Sequence, residues 1–167
     1  MRRLFAALVV CSSIGFAQSD IWKYSKSATL SGTATAFTIA LPDTGPGQQV
    51  EILEYTLQCT ADCTVQTERN GSAPTATAAT WRCEDVDTCP KNGTTPIQPV
   101  SKIYHLSNST GGGLHDEPYI FPANAIVPWK SGTALVLTGL GSTNNFTIRI
   151  AAFTGTYHFT IRARIRR

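Results

Sequence analysis

Charged side chains make up only 15% of the 167 residues, and after the first seventeen no apolar run approaches the length a membrane-spanning helix needs. The released chain is therefore expected to have no membrane span. Leu, Glu, Lys and Ala nowhere combine into a long amphipathic period, which excludes a helix of ordinary length. Motifs that announce chemistry are missing too. There is no G-x-S-x-G elbow, no H-E-x-x-H pair and no glycine loop built to cradle phosphate. Excess charge of one sign is also absent. Without Arg2 and Arg3, Lys plus Arg falls from 14 to 12 against 11 acidic residues, so the net charge drops from +3 to +1. A balance so near neutral gives no reason to expect nucleic acid as a partner. No cofactor and no metal site are expected.

What is present begins with residues 1–17. Arg2 and Arg3 precede an apolar run over residues 4–10, and Gly15-Phe16-Ala17 supplies small residues at the −3 and −1 positions of a cleavage site. This is the layout of a secretory signal peptide, so the mature chain is expected outside the cytoplasm: extracellular, at the cell surface or in the periplasm. Cleavage takes 17 of 167 residues and leaves 150, which read as a single domain over residues 18–167.

Four cysteines remain after cleavage, Cys59, Cys63, Cys83 and Cys89. In an exported chain an even count reads as two disulfides, and four cysteines allow three connectivities. A three-residue hairpin loop at 60–62 would set Cys59 opposite Cys63, which favours that pair together with Cys83–Cys89 closing the acidic loop 84–88. Two long bridges pinning the acidic loop to the hairpin tip are the rival. The spacings C-x3-C and C-x5-C suit zinc poorly.

Strand-like segments recur between turn signals, the pattern of an all-β domain. Residues 29–41, 50–59 and 63–69 read as strands, the second with Leu53, Tyr55, Leu57 and Cys59 on one face. Residues 82–99 read as a long decorated loop. Residues 102–106, 119–121 and 125–127 read as short strands, and three more are expected over 134–140, 145–153 and 157–166, the last two joined by a turn at 154–156. The expected fold is an antiparallel, jelly-roll-like β-sandwich of about eight strands.

The last segment alternates strictly. Tyr157, Phe159, Ile161, Ala163 and Ile165 share one face, and His158, Thr160, Arg162, Arg164 and Arg166 share the other. His158, Arg162, Arg164 and Arg166 form a candidate anion-binding stripe, whose side chains, two residues apart, are spaced to meet successive charges on a glycan or another surface polyanion. The plainer reading pairs these arginines with the chain's own acids, or uses them to blunt a terminal edge strand. Trp129, beside Pro128 and Lys130, is a candidate exposed aromatic contact. Trp22, Tyr24, Trp81, Tyr119 and Phe121 are candidates for a sugar platform but are expected mostly in the core. His115-Asp116-Glu117 and the acids of 84–87 match no metal or catalytic spacing. Asn70, Asn92, Asn108 and Asn145 head glycosylation sequons, which a bacterial source would leave bare.

The stretch Y-T-L-Q-C-T-A-D-C-T-V-Q-T-E-R-N-G-S-A-P-T-A-T resembles small exported bacterial β-sandwich proteins of unassigned activity. The later S-G-T-A-L-V-L-T-G with its terminal strand looks like the closing half of jelly-roll modules in phage fibres and surface appendages. The resemblance implies a non-enzymatic default and carries over no functional residue. The expectation is thus a secreted binding or assembly module. A carbohydrate-binding or carbohydrate-active domain is the first alternative, and a subunit that self-associates by lending residues 20–41 as a donor strand is the second.

Overall fold

The computed structural model describes residues 19–41, 49–69, 71–72, 74–75, 77–85, 87–99, 101–106, 113–114, 118–129, 135–138 and 145–166. Residues 1–17, His115-Asp116-Glu117 and Lys130 lie outside them. Twelve strands and no helix are present among the described residues: β1 (Ser19–Ala40), β2 (Gln49–Cys59), β3 (Cys63–Arg69), β4 (Arg82–Cys83), β5 (Lys91–Asn92), β6 (Thr95–Pro96), β7 (Lys102–His105), β8 (Gly113–Leu114), β9 (Tyr119–Phe121), β10 (Val127–Trp129), β11 (Leu135–Thr138) and β12 (Asn145–Arg166). The fold is all-β and antiparallel, as the alternation predicts, but the strands exceed eight. Ten of them form one sheet that bends back on itself into a nearly closed, barrel-like sandwich, and β5 and β6 make a separate hairpin.

Its framework is a single long ribbon. β1 and β12 pair antiparallel from Ser19↔Arg166 to Ala40↔Asn145. The turn expected at residues 154–156 does not form, and the two expected strands are one. Gly155, at φ +150°, and Gly32, at φ +98°, let the ribbon bend where other residues would strain. Above the bend β12 pairs with β2, and below it with β3, so each half of the ribbon belongs to a different layer.

The same geometry corrects the hairpin expected at Cys59–Cys63. β2 and β3 each pair with β12 rather than with one another, running as two lengths of one track along its edge. Residues 60–62 span the corner between those lengths. Thr60 closes it: its N–H donates to the Thr156 carbonyl, and its Oγ1 accepts from the Thr156 N–H, both at 2.9 Å. The Cys59–Cys63 disulfide, with a Cα separation of 6.4 Å, ties the ends of this corner.

The two layers bury one continuous core. Phe37 stacks on Phe159 at a centroid distance of 4.5 Å, joining opposite halves of the ribbon. Trp22, Tyr55, Phe121, Phe146, Phe153 and Tyr157 fill the rest. In β2 the core face is Val50, Ile52, Tyr55, Leu57 and Cys59, not Leu53. A register shift opposite Arg162/Ala163 makes Leu53 the extra residue of a bulge.

β1 is paired along its length and packs Trp22, Phe37 and Ile39 into the core, so it is an integral strand of its own fold. That removes the geometry expected of a detached donor segment at residues 20–41.

Candidate functional site

The arginine stripe lies on the outer face of β12, but β12 is an interior strand with β1 on one side and β2 on the other. Its cations are taken by the chain's own acids. Arg162 donates through Nη1 to Glu54 Oε1 at 2.8 Å, and through Nη2 and Nε to Glu84 Oε2 at 2.7 and 3.1 Å. Arg164 donates to Glu51 Oε2 at 2.8 Å, which Arg166 also approaches at 3.6 Å. The bulge at Leu53 makes this possible. Residues three apart on a regular strand point to opposite faces, yet here Glu51 and Glu54 both face the arginines, which lie two apart. Hydrogen bonds to Glu84 and then Glu54 hold the Arg162 guanidinium above its ordinary pKa. His158 accepts or donates to the Ser27 hydroxyl through Nδ1, within a hydroxyl-rich band that includes the Ser25–Thr160 and Thr29–Thr156 pairs.

Cations without such partners lie elsewhere. Lys23, Lys26 and Arg82 have no carboxylate partner among the described residues, and all three are exposed and line one groove of about 590 Å³. Its floor is the edge of β1 at Lys23, Tyr24, Ser25 and Lys26, and its far wall is Ala79, Thr80, Arg82, Cys83 and Glu84. The groove exists because β4 pairs with β1 only at Trp22↔Cys83 and Lys23↔Arg82 before the chain parts from it. Trp81 sets that path. Its indole N–H donates to the Ser101 carbonyl at 3.1 Å, and its backbone exchanges two hydrogen bonds with the Gln98 amide. The Cys83–Cys89 disulfide closes the acidic loop beyond, and the Glu84 N–H donates to the Ile21 carbonyl at 2.9 Å. The fourth charge in the groove, Glu84, is neutralised by Arg162.

At the inner lip of the groove, between the layers, Tyr24 meets His105 at a ring distance of 6.4 Å, and His105 Nε2 shares a 2.8 Å hydrogen bond with the Tyr157 hydroxyl. Burial, and then the Lys26 charge, push the His105 pKa below its ordinary value. Burial raises the pKa values of Tyr24 and Tyr157, so both phenols stay protonated at neutral pH.

Other candidates fare differently. Trp22, Trp81 and Phe121 are buried, Tyr24 nearly so, and the Tyr119 hydroxyl bonds that of Tyr55, so these rings make no exposed platform. Trp129 belongs to β10, where its backbone pairs with Tyr55, and its side chain lies outside the described residues. Glu51, Glu54, Glu68 and Glu84 are all ion-paired with arginines, which leaves none of them poised as one of two carboxylates facing across a cleft. No group of three or more His, Cys, Asp or Glu that could hold a metal occurs among the described residues. Asn145 is buried and exchanges hydrogen bonds of 2.7 and 3.0 Å with the Gly71 backbone, so its amide is closed to modification in the folded state. Asn92, on the β5–β6 hairpin, is exposed.

The groove cations carry no sequence signature. Lys23 and Lys26 are three apart in a Ser-rich strand and Arg82 is far along the chain, so only the β1–β4 pairing brings them together. A scan of family models finds no match to the chain, and neither curated proteins nor solved structures give one.

Proposed function

We propose that the mature protein is a secreted, non-enzymatic binding module that takes an extended anionic ligand in the groove between β1 and the segment carrying β4. The observation that carries this reading is the contrast in pairing: Lys23, Lys26 and Arg82 line a groove of about 590 Å³ without acidic partners among the described residues, whereas the β12 arginines are neutralised. Unpaired cations beside a concave surface raise the local concentration of anions and speed their capture. Protonated Tyr24 and the backbone of the β1 edge add neutral hydrogen-bonding groups.

Export is part of the same proposal. The basic, apolar and small-residue blocks of residues 1–17 support it, and two disulfides fit an oxidising compartment. Recovery of the chain with Gln18 as its first residue would agree with it, and recovery of the uncleaved chain from the cytosol would end it.

The direct test is retention on immobilised heparin across a salt gradient. Lys23→Ser, Lys26→Ser and Arg82→Ser together should abolish retention, while Arg162→Ser with Arg164→Ser should leave it intact. Equal loss in both variants would sink the reading.

A further inference from the structure

We infer that the ligand of this groove is an acidic polypeptide that adds as an extra strand to the open edge of β1. This rests on the anion-binding reading above and names its ligand. On the side of β1 away from β12, β4 covers residues 22–23 and β7 covers residues 37–40. Between them, among the described residues, no strand pairs with residues 24–31, roughly 25 Å of backbone at about 3.3 Å per residue.

The direction of the free groups follows from one bond. The Ile21 carbonyl accepts from Glu84 and so points toward the β4 side. Amide and carbonyl of a strand residue point to the same side and alternate along the chain, so Ser25, Ser27 and Thr29 turn both groups toward the open edge. A sheet edge offers donors and acceptors in alternation. An extended peptide matches both, whereas a sulfated or phosphorylated sugar chain brings mostly acceptors and satisfies only the amides.

Charge selects among peptides. Lys23 and Arg82 are register partners at the head of the edge, and Lys26 follows on the side of His105. An incoming strand therefore meets positive charge on both of its faces. A second copy of this chain would bring a second set of Lys23, Lys26 and Arg82 to the same edge, and like charge of this kind is a device by which open edges avoid self-pairing. An acidic partner turns that same repulsion into attraction.

The test uses the disulfide-intact mature chain and a short blocked peptide of alternating Glu and Thr, followed by fluorescence anisotropy. Binding is expected, with none for the Lys-Thr counterpart. N-methylation of one alternate set of amides, either all Glu or all Thr, should weaken binding about tenfold or more, while methylation of the other set should change it little. Ser25→Pro should give a similar loss and Ser25→Ala almost none, since a proline whose missing N–H faces the open edge is compatible with a strand. If Ser25→Pro fails to fold, the two methylated peptides decide alone against the unchanged protein. Binding of a heparin oligosaccharide without the peptide, or peptide binding indifferent to both methylations, would overturn strand addition and leave the anion groove standing. Binding of neither probe would remove both readings. Dimerisation that Ser25→Pro abolishes would show a second copy on the edge and overturn the acidic partner.

Discussion

Two sets of cations lie near one another, one on β12 and the other where β4 meets the edge of β1, and they differ in what surrounds them. Arg162, Arg164 and Arg166 sit on an interior strand, where β2 brings Glu51 and Glu54 alongside and the acidic loop brings Glu84. Lys23, Lys26 and Arg82 sit where the sheet runs out of strands. The first set alternates in sequence and catches the eye. The second is scattered, and it alone is left without acids. Regular spacing announces a strand face, and the neighbouring strand decides whether that face is available. The plainer of the two readings of the arginine stripe, pairing within the fold, is the one the geometry favours, with Glu51, Glu54 and Glu84 as the acids.

Several changes would break or sharpen this contrast. Gly155→Val should abolish it altogether, because a Cβ there would lie 2.5 Å from Thr60 Oγ1 and 3.0 Å from the Phe153 ring, at a φ that a β-branched residue resists. A loss of roughly 3 kcal/mol is expected from strain and overpacking combined, read as a lowered denaturant midpoint. Cys59→Ser with Cys63→Ser should cost about 2 kcal/mol, by release of the corner loop in the unfolded chain, with heparin retention preserved at temperatures where the variant stays folded. A lost retention in folded protein would tie the groove to the corner. Glu84→Ala should divide the two sets most sharply. It removes one partner of Arg162 and the only acid lining the groove among the described residues, so thermal stability should fall by less than about 1 kcal/mol while retention on heparin strengthens. Weaker retention would contradict the groove assignment.

The smallest effect concerns pH. The folded His105 pKa lies below its ordinary value, so the unfolded chain binds the proton more readily. Its contribution to stability is complete above about pH 6.5 and declines as pH falls below that value toward the folded pKa. His105→Gln should flatten this part of the stability profile, measured by denaturant unfolding between mildly acidic and neutral pH. An unchanged slope would assign the acid sensitivity to other groups.

Much of the fold is legible in the sequence, and the misreadings have a common cause. Alternation from Tyr157 to Arg166 identifies a half-buried strand without help from any neighbour. Alternation also places Tyr55, Leu57 and Cys59 inward, but it carries Leu53 along with them because a bulge leaves no local mark. Gly155 between two threonines reads as a turn, and only the matching bend at Gly32 across the ribbon turns it into a corner within one strand. The cysteine pairs follow from spacing, whereas the hairpin inferred for Cys59–Cys63 fails because both flanking strands take β12 as their partner. The groove lies beyond what periodicity can show, since it depends on how far a two-residue strand, β4, accompanies β1. Asn145 makes the same point in reverse: its sequon is intact, and its amide is spent on Gly71.

Pairing of Ser19 with Arg166 has a consequence for how the molecule comes into being. β1 finds its lifelong neighbour in β12, the length of the domain away along the chain, so the central ladder can start to zip only once residues 145–166 have been made. A chain shortened by its final ten residues would lack much of β2's partner and should emerge as a protease-sensitive coil. Such late closure makes for slow maturation and leaves the growing polypeptide pliable until β12 arrives.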